Sequence, residues 1–477
     1  MEGKKMLELF AGGQAVTLDQ VLTNREWRSA VQQQLEADFP DQVVVAVKLN
    51  IAGPIKNSLK IRQVFMAGWQ VIKQAAASDS AAIKKVHVDE QRITGPEAFL
   101  VLDGQLKKWK QELLRFEEDF ALGRLFDCDV MADSAKGYQL SRRDLGLPPR
   151  RCLVCDEDAK VCAKEGRHLL SAVQAASNQL YRDYFVTDLT LPAWSRDFVV
   201  DAAVAACLQE VALAPKPGLV DPISAGAHHD MTVMTFLDSA VALRPYLEKA
   251  FELGQGFSQA DATGLLAALR PEGIKAEQAM YLATDGVNTH KGAIFTLGIL
   301  IAAYGLATQD KRLTTLREVL NFVQKISANV LDDDLVSPTC IDQQEETAGH
   351  YQYRTYQLTG VRGEVAAGLP ALAQVGLPTF RDRPGSVTNR LLDTLMALAG
   401  AIQDSTLIKR AKTPAIVQQM QDWVDEFFDL GGAETVTGQK YLTALNQTMI
   451  EQNLSIGGAA DYLILTIFIG RLSGLLS

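Results

Sequence analysis

The segment FVTDLTLPAW, residues 185–194, divides this 477-residue sequence into two parts with different patterns. Pro192 and the threonines interrupt a helical pattern there, which is typical of a domain boundary. Compact domains usually hold roughly 100 to 200 residues, so a chain of this length is expected to form more than one. We therefore predict a multidomain protein with one domain over residues 1–187 and a second over 193–477.

The part before this boundary mixes helical and strand patterns. Apolar residues at helical spacing predict helices over residues 18–39, 58–77, 105–120 and 159–184. Short apolar or β-branched runs predict strands over residues 43–49, 84–88, 98–102 and 125–131. The mixture indicates an α+β domain.

The part after the boundary has few strand signals. Ala- and Leu-rich segments at helical spacing predict helices over residues 195–213, 230–253, 258–269, 290–306, 312–329, 388–403, 413–428 and 458–476. We therefore predict an all-α domain, in which several of the helices must be fully buried.

Composition narrows the class of protein. Hydrophobic residues make up 47% and charged residues 22% of the chain, which is typical of a globular protein. A net charge of -10 argues against a general nucleic-acid binder, because binding to phosphate backbones needs clustered cations. The N-terminus lacks the pattern of an export signal, and Arg471 interrupts the apolar C-terminus. We expect a cytoplasmic protein that contacts neither nucleic acid nor membrane.

The segment PKPGLVDPISAGAHHDM, residues 215–231, is too rich in proline and glycine to be helical. Its polar residues are a cation, two carboxylates and an imidazole, namely Lys216, Asp221, His228 and Asp230. A phosphorylated substrate held with Mg²⁺ needs this mixture. The other interpretation is a structural connection whose polar residues are incidental.

Two helix starts have the composition of anion sites. In DGVNTHKGAIFTLG, residues 285–298, Asn288 or Thr289 is predicted to cap a helix. Its first turn contains His290, Lys291 and Gly292. In NLSIGGAADYLIL, residues 453–465, the predicted cap is Ser455, and Gly457 and Gly458 follow. Free backbone N–H groups at helix starts bind phosphate, although a structural cap alone also explains each motif.

Two further segments carry charged residues between helices. TGVRGEVAAGLP places Arg362 and Glu364 between glycines, and DSTLIKR supplies Lys409 and Arg410. The motifs PKPGLVD, GAHHDM, NTHKGAIF, RGE before GLP and GG before Asp461 occur in the order seen in a known family. Over nearly all of residues 195–477 the sequence resembles the triphosphoribosyl-dephospho-coenzyme A synthases of citrate lyase maturation. It departs from that family in SIGGAAD, without the loss of a charged group.

This resemblance implies a reaction in which ATP loses adenine and C1 of its ribose is joined to the 2'-hydroxyl of 3'-dephospho-coenzyme A. Such a substitution needs carboxylates near the ribosyl carbon and a group that protonates the departing base. We expect the carboxylate roles from Asp221, Asp230 or Glu364 and proton transfer or phosphate contact from His228 or His290. Phosphate contacts are expected from Lys216, Lys291 and Arg362, with Asn288, Gly292, Lys409, Arg410, Ser455, Gly457 and Gly458 also in the substrate site.

In the first domain, GRLFDCDVMAD places Asp127 and Asp129 two residues apart in a predicted strand. Both carboxylates then project from one face, where a single Mg²⁺ can bridge them. A glycine before such a strand is similar to nucleotidyltransferase sites, although DxD is also common on solvated strands.

In LNIAGPIKNS, Lys56 lies just before a predicted helix. In REWR, the spacing of Arg25 and Arg28 places both on one helix face. This face either contacts a substrate or has a purely structural role.

A crowded cysteine segment follows at residues 142–168. Its three thiols and one imidazole, from Cys152, Cys155, Cys162 and His168, can close a tetrahedral zinc site. The spacing matches no standard zinc finger, and burial of Cys162 in a helix is the alternative.

In order, REWR, NIAGPIKNS, TGPEAF, GRLFDCDV and LGLPPRRCLVC resemble the holo-citrate lyase acyl carrier protein synthases over about residues 15–183. That family transfers the triphosphoribosyl-dephospho-coenzyme A group to a serine of the apo acyl carrier (gamma) subunit of citrate lyase and releases pyrophosphate. The resemblance implies that Asp127 and Asp129 bind Mg²⁺ and that Arg124, Lys56 and Arg25 neutralise phosphates. Phe126 replaces a tryptophan that is usual in the family.

The two predicted reactions are consecutive, because the first product carries the triphosphate that the second reaction consumes. Two alternatives remain at this point. One is the equivalent pair of enzymes for malonate decarboxylase, whose synthase is similar. The other is a non-enzymatic, zinc-dependent interaction protein that uses the helical domain as a scaffold.

Overall fold

The computed structural model of the chain describes residues 9–78, 83–132, 140–155, 157–336 and 348–476. Internal contacts divide the chain into two compact units. The N-terminal unit comprises Met1–Leu189 together with Gly474–Ser477, and the helical unit comprises Thr190–Ser473. The predicted start of the first domain, residues 1–8, lies outside the described residues. The chain is mostly helical, and the N-terminal unit contains a small antiparallel sheet.

Four antiparallel strands form the sheet of the N-terminal unit, in the spatial order β2-β3-β1-β4. The strands are β1 (Val43–Leu49), β2 (Ile83–Asp89), β3 (Glu97–Leu102) and β4 (Phe126–Met131). The two central strands, β1 and β3, consist mainly of buried apolar residues, as expected for strands covered on both faces. All four predicted strands are confirmed.

Three helices of this unit are also confirmed, namely α1 (Leu18–Asp38), α2 (Leu59–Ser78) and α3 (Leu106–Asp119). A capping box fixes the start of α1, because Thr17 and Gln20 exchange side-chain and backbone hydrogen bonds. Strand register then sets the functional geometry. Lys48 of β1 lies opposite Asp127 of β4.

The single helix predicted over residues 159–184 is wrong. The chain forms α4 (Ala159–Glu165) and α5 (Leu170–Arg182), followed by a short π-helical turn at Asp183–Thr187. Gly166 ends α4 in the left-handed conformation, with φ of 59°. Glycine adopts this conformation at low cost, so it reverses the chain after α4.

The helical unit contains fourteen described α-helices. They are α6 (Arg196–Val211), α7 (Val233–Ala242), α8 (Arg244–Gly256), α9 (Leu265–Ala283), α10 (Lys291–Ala307), α11 (Leu316–Ile326), α12 (Ala348–Tyr356), α13 (Gly360–Ala366), α14 (Leu377–Asp382), α15 (Val387–Ala401), α16 (Ser405–Ala411), α17 (Ile416–Asp429), α18 (Val436–Glu451) and α19 (Gly457–Ser473). Most residues of α10 and α19 are buried. Their mainly apolar sequences are explained by this central position, because a helix exposed on one side needs a polar face.

Several predicted boundaries in this unit are wrong. Residues 230–253 form two helices, since the chain bends after α7 and Pro245 occupies the first turn of α8. Residues 259–264 form a 3₁₀ turn, and α9 begins only at Leu265. Two short strands, β5 (Thr190–Pro192) and β6 (Leu313–Thr315), pair with each other, so the helix predicted from residue 312 begins at Leu316.

Among the described residues, no single helix combines the length and apolar composition needed to cross a membrane. Taken together, Val387–Ala401 and Ser405–Ala411 meet those two criteria, but they are bent by 66° at the break between them.

Candidate active sites in the two units

Both carboxylates of the DxD motif meet one ammonium group in the N-terminal unit. Lys48 Nζ lies 2.7 Å from Asp127 Oδ2 and 2.9 Å from Asp129 Oδ2. Burial alone would lower the pKa of Lys48, but the charges of Asp129 and Asp127 outweigh it and raise that pKa. The side chains of Asp127 and Asp129 are 43% and 28% exposed, so this charged group is open to a substrate. The sequence analysis missed Lys48, because its position opposite Asp127 depends on strand register.

Side chains from outside the sheet hold β4, which is an edge strand. Lys110 of α3 donates to the carbonyl of Cys128, and Glu117 accepts from the Cys128 N–H, both at 2.9 Å. Arg150 donates to the carbonyl of Phe126 at 2.8 Å. Edge strands leave backbone groups unpaired, and these contacts satisfy them. They therefore fix the backbone that carries Asp127 and Asp129.

The REWR helix turns only one of its arginines towards the sheet. Arg28 Nε donates to Glu97 Oε2 at 2.8 Å, whereas Arg25 is exposed. Burial alone would lower the pKa of Arg28, but its hydrogen bond and charge interaction with Glu97 raise it, with smaller contributions from Asp129 and Asp127. Arg28 therefore interacts electrostatically with the DxD carboxylates. The predicted phosphate ligand was Arg25, its neighbour on the same helix.

The two other predicted phosphate ligands of this unit contact backbone carbonyls. Lys56 Nζ donates to the carbonyl of Ile51 at 2.5 Å, and burial lowers its pKa. Arg124 Nη2 donates to the carbonyl of Arg151 at 2.6 Å. Arg124 and Arg151 also line a small cavity of about 180 Å³ together with Arg142 and Arg150.

The predicted zinc ligands lie close together in space. Cys155 Sγ is 3.6 Å from Cys162 Sγ and 3.2 Å from His168 Nε2. One ligand atom from each of these residues and from Cys152 lies within 4.8 Å of all the others.

In the helical unit, a cavity of about 780 Å³ gathers most of the predicted substrate-binding residues. The loop after α6, the starts of α10 and α19, and α16 contribute to its walls. The predicted residues that line it are Lys216, His228, Asp230, Asn288, His290, Lys291, Gly292, Lys409, Arg410, Ser455 and Gly457. These residues come from four separate segments of sequence, so the fold creates their proximity.

Four predicted residues are absent from the described lining of this cavity. Asp221 is buried and accepts hydrogen bonds from backbone N–H groups of its own loop. Arg362 pairs with Asp334 beside a second cavity of about 580 Å³. Glu364 accepts from the Tyr462 hydroxyl at 3.0 Å. Gly458 packs against the carboxylate of Asp404.

His228 is held by partners at both ring nitrogens. Arg410 Nη2 lies 3.0 Å from Nδ1, and Ser455 Oγ lies 3.1 Å from Nε2. A guanidinium only donates, so Nδ1 must accept and the proton belongs on Nε2. Burial, followed by the charge of Arg410, lowers the pKa of His228 to about 4. This imidazole is therefore neutral at pH 7 and has both nitrogens occupied.

His290 has one nitrogen held and the other free. Its Nδ1 lies 2.7 Å from the hydroxyl of Ser239, which in turn accepts a hydrogen bond from Thr289. Among the described contacts, Nδ1 is the acceptor for the single proton of the Ser239 hydroxyl, so we assign that proton to Nδ1. The ring proton of His290 then belongs on Nε2. Nε2 is buried and has no hydrogen-bond partner among the described residues. Burial, followed by the charge of Lys216, lowers the pKa of His290 to about 4.

Carboxyl groups occupy the starts of the two helices that were predicted to bind anions, one partly buried (Asp461) and one buried (Asp404). At α10, Asp461 accepts from the Ala293 N–H, and burial raises its pKa well above the usual value, helped by Asp404 and Glu210. At α19, Asp404 accepts from the Ala459 N–H at 3.0 Å. The predicted caps lie elsewhere: the cap position of α10 is His290, and Ser455 lies two residues before α19. Asn288 still accepts from the Lys291 N–H, at 3.4 Å.

Sequence reasoning also missed the acidic partner of Lys216. Lys216 forms a buried ion pair with Glu210 of α6, and both side chains line the cavity. Glu210 and Asp461 each lie in a largely apolar helix. A charged residue at such a position is rarely buried without a reason, and this was the signal in the sequence that could have identified them. Together they place two carboxyl groups on one side of the cavity, one paired with Lys216 and one with a raised pKa.

Comparison with known proteins assigns both units. Residues 196–477 match the family described as ATP:dephospho-CoA triphosphoribosyl transferase. Residues 16–184 match the family described as apo-citrate lyase phosphoribosyl-dephospho-CoA transferase. The protein CitXG of Leuconostoc mesenteroides subsp. cremoris is 45% identical over 472 residues, which cover 98% of this chain and 100% of the relative.

Two further relatives show the same division. The protein CitXG of Haemophilus influenzae is 33% identical over 471 residues, which cover 96% of each chain. A probable 2-(5''-triphosphoribosyl)-3'-dephosphocoenzyme-A synthase of Lactiplantibacillus plantarum is 45% identical over 282 residues, which cover 58% of this chain and 98% of the relative. The printed name of the second relative agrees with the family matched over residues 196–477.

The fold and the two sites define a two-domain transferase. The chain belongs to the family of ATP:dephospho-CoA triphosphoribosyl transferases, fused to an N-terminal apo-citrate lyase phosphoribosyl-dephospho-CoA transferase. Its function is the maturation of the citrate lyase prosthetic group, as the resemblance in the sequence implied. The match to a citrate lyase transferase favours this assignment over malonate decarboxylase, and the two enzyme families replace the alternative of a non-enzymatic scaffold.

Proposed function

We propose that the helical unit joins C1 of the ribose of ATP to the 2'-hydroxyl of 3'-dephospho-coenzyme A. The bond between C1 and adenine breaks, and the new C1–O bond forms. Adenine leaves with a proton, the attacking hydroxyl loses one, and the triphosphate stays on the product. The observation that carries this proposal is the single cavity that holds basic side chains from separate segments beside a buried imidazole with a free Nε2.

The basic residues of the cavity divide into two kinds. Lys291 is half exposed and pairs with Glu277 at 2.8 Å, and Lys409 is exposed. Exposed ion pairs are weak, so a phosphate group can replace the Glu277 contact at little cost. Lys216 is instead fully buried against Glu210. We assign Lys291 and Lys409 to the triphosphate, and Lys216 to positioning Glu210 and the cavity wall.

Buried His290 and partly buried Asp461 suit the proton transfers. The Nε2–H of His290 is an unused donor at the cavity, so it can hydrogen-bond to a nitrogen of the departing adenine. Asp461 has a raised pKa and therefore keeps its proton to higher pH than an ordinary carboxyl group, which suits a proton donor. Asp230 is exposed at the cavity and supplies a carboxylate that stabilises positive charge developing on the ribosyl carbon.

For the N-terminal unit, the second reaction uses the product of the first. A serine Oγ of the apo acyl carrier subunit forms a bond to the α-phosphorus of the triphosphate. The bond from that phosphorus to the oxygen shared with the β-phosphate breaks, pyrophosphate leaves, and the serine proton is lost. Asp127, Asp129 and Lys48 offer the charged surface on which this transfer is proposed to occur, in a nucleotidyltransferase-like arrangement.

The DxD carboxylates also fit Mg²⁺, which prefers carboxylate oxygens and shares its coordination sphere with substrate phosphates. Both carboxylates reach one point in space, since a single Lys48 ammonium contacts both of them. When bound, Mg²⁺ would neutralise charge on the leaving pyrophosphate. Lys48 would then be free to contact a phosphate oxygen. We also propose the gamma subunit of citrate lyase as the carrier, which the match to an apo-citrate lyase transferase supports. The use of ATP and dephospho-coenzyme A supports a cytoplasmic location.

The donor role of His290 gives the sharpest test of the first reaction. The full chain is incubated with ATP and 3'-dephospho-coenzyme A, and free adenine is measured by chromatography. We expect His290→Asn to reduce adenine release roughly 100-fold, because removal of one positioned hydrogen-bond donor from an active site usually costs about 10²–10³-fold in rate. His290→Gln is the matched control, since its amide can place a donor near the Nε2 position, and it should retain more activity. Release of no adenine by the wild-type chain would refute the proposed reaction itself.

A further inference from the structure

The chain from residue 150 to residue 168, which we call the cysteine loop, folds back so that four metal-binding side chains converge. The Cys152 N–H donates to the carbonyl of Glu157 at 2.6 Å, and the Ala159 N–H donates to that of Arg150 at 2.8 Å. These bonds close a hairpin whose turn carries Cys155. Helix α4 then presents Cys162, and the left-handed Gly166 reverses the chain so that His168 returns to Cys155.

The two separations measured from Cys155 Sγ fit a tetrahedral zinc ion, and all four ligand atoms lie within 4.8 Å of one another. Zn–S bonds of about 2.3 Å and Zn–N bonds of about 2.0–2.1 Å place two sulfurs about 3.8 Å apart and a sulfur and a nitrogen about 3.6 Å apart. The structure has 3.6 Å between Cys155 Sγ and Cys162 Sγ, and 3.2 Å between Cys155 Sγ and His168 Nε2. A disulfide would need about 2.05 Å between its sulfurs. The thiols are therefore placed as neighbouring ligands rather than as a bonded pair.

We propose that Cys152, Cys155, Cys162 and His168 bind one structural zinc ion. Three thiolates and one imidazole complete a four-coordinate site and leave no position for water or substrate, so the site is structural rather than catalytic. The Val154 N–H lies 3.5 Å from Cys152 Sγ, and such a donor stabilises a thiolate. Cys162 is buried, while the other described residues of the cysteine loop are exposed or partly exposed.

The zinc site supports the DxD strand through two arginines. Arg124, just before β4, donates to the carbonyls of Arg151 and Cys152 in the cysteine loop. Arg150 of the loop donates in return to the carbonyl of Phe126. Since the loop has almost no apolar core of its own, metal binding is what gives it a fixed conformation. The proposed ion therefore orders the loop against the start of the strand that carries Asp127 and Asp129.

Metal content of the purified full chain tests this proposal without reference to activity. Purification avoids chelators and metal-affinity resins, and zinc is measured by inductively coupled plasma mass spectrometry. We expect about one zinc per chain in the wild type and at least a tenfold lower content in His168→Ala. His168 is partly exposed, so its loss leaves the apolar core intact. His168→Cys should restore the content, because four thiolates also bind zinc, and Cys207→Ala in the helical unit should leave it unchanged.

Thermal unfolding of the N-terminal unit gives a second readout. Removal of zinc from the wild type by a chelator should lower the midpoint temperature of this unfolding transition. The same treatment should leave the midpoint temperature of His168→Ala unchanged. A wild-type protein without zinc, equal zinc in wild type and His168→Ala, or a disulfide between any two of the three cysteines under reducing purification would overturn the proposal. None of these results would bear on adenine release, so the zinc site and the proposed function fail independently.

Discussion

His228 and His290, the two histidines of the cavity that the sequence analysis singled out, differ in which ring nitrogens have hydrogen-bond partners. Arg410 and Ser455 occupy both nitrogens of His228, whereas only Nδ1 of His290 has a partner among the described residues. From sequence alone they were equivalent candidates for proton transfer. The distinction depends on Ser239 and Arg410, which lie 51 and 182 residues away from the histidines they contact. No local pattern encodes such partners.

Acidification from pH 7 to pH 5 should destabilise the helical unit partly through His290. Its pKa is about 4 in the folded protein and about 6.5 when unfolded, so the unfolded chain binds the proton first. The stabilising contribution is complete above pH 6.5 and is lost as the pH falls towards 4. At pH 5 the loss is on the order of 2 kcal/mol.

Urea unfolding of the wild type and of His290→Asn at both pH values measures this contribution. Asp461 acts in the opposite direction, because its raised pKa makes protonation favour the folded state. The comparison is therefore between the pH dependence of wild type and variant, not between absolute stabilities. The variant should lose less stability on acidification, and an equal loss in both proteins would contradict the assigned environment of His290.

At the scale of helices and strands, the starts of α10 and α19 are similar in sequence but differ in the space around their glycines. A Cβ at Gly292 would lie 1.9 Å from Asp461 Oδ2, which is far inside contact distance. A Cβ at Gly457 would meet Thr406 at 3.3 Å, which requires only a small adjustment. Packing against the Asp461 carboxyl group therefore leaves no room for a side chain at position 292. A small side chain at position 457 needs only a slight movement of Thr406.

Replacement of each glycine by alanine tests this difference. Gly292→Ala should destabilise the helical unit by about 1–3 kcal/mol, as overpacking of a filled site usually does. Gly457→Ala is the matched control and should cost less, since alanine also favours a helix over glycine by roughly 1 kcal/mol. Urea midpoints of the two variants decide the point, and equal or reversed shifts would show that Asp461 does not occupy the start of α10.

Elements with a strong local pattern could be predicted, and those decided by tertiary contacts could not. The β-branched run of β1 and the amphipathic helices of the N-terminal unit were predicted within a few residues. The helix over residues 159–184 was wrong because Gly166 reverses the chain and the next helix begins only at Leu170. The short strands β5 and β6 were missed because each has only three residues and they pair across more than a hundred positions.

At the scale of the whole molecule, the sequence predicted two parts with different secondary structure and consecutive reactions. Eleven of the residues that the sequence analysis singled out line what proves to be one cavity. The carboxyl groups of Glu210 and Asp461, which also line it, were not predicted. The same holds for Lys48 between the DxD carboxylates. These groups face the sites because of helix packing and strand register, which single-sequence patterns do not specify.

The central claim is that two separate sites in one chain carry out consecutive transfers. It is tested most directly by one reaction mixture that contains ATP, 3'-dephospho-coenzyme A, Mg²⁺ and the apo acyl carrier, in which adenine and labelled carrier are measured together. Asp127→Asn should release adenine at the wild-type rate and label no carrier. Lys291→Ala should reduce adenine release about tenfold or more, because one phosphate contact is lost, and should still transfer the preformed intermediate. A mixture of the two folded variants should restore labelling, whereas loss of both activities in either variant would contradict two separate sites.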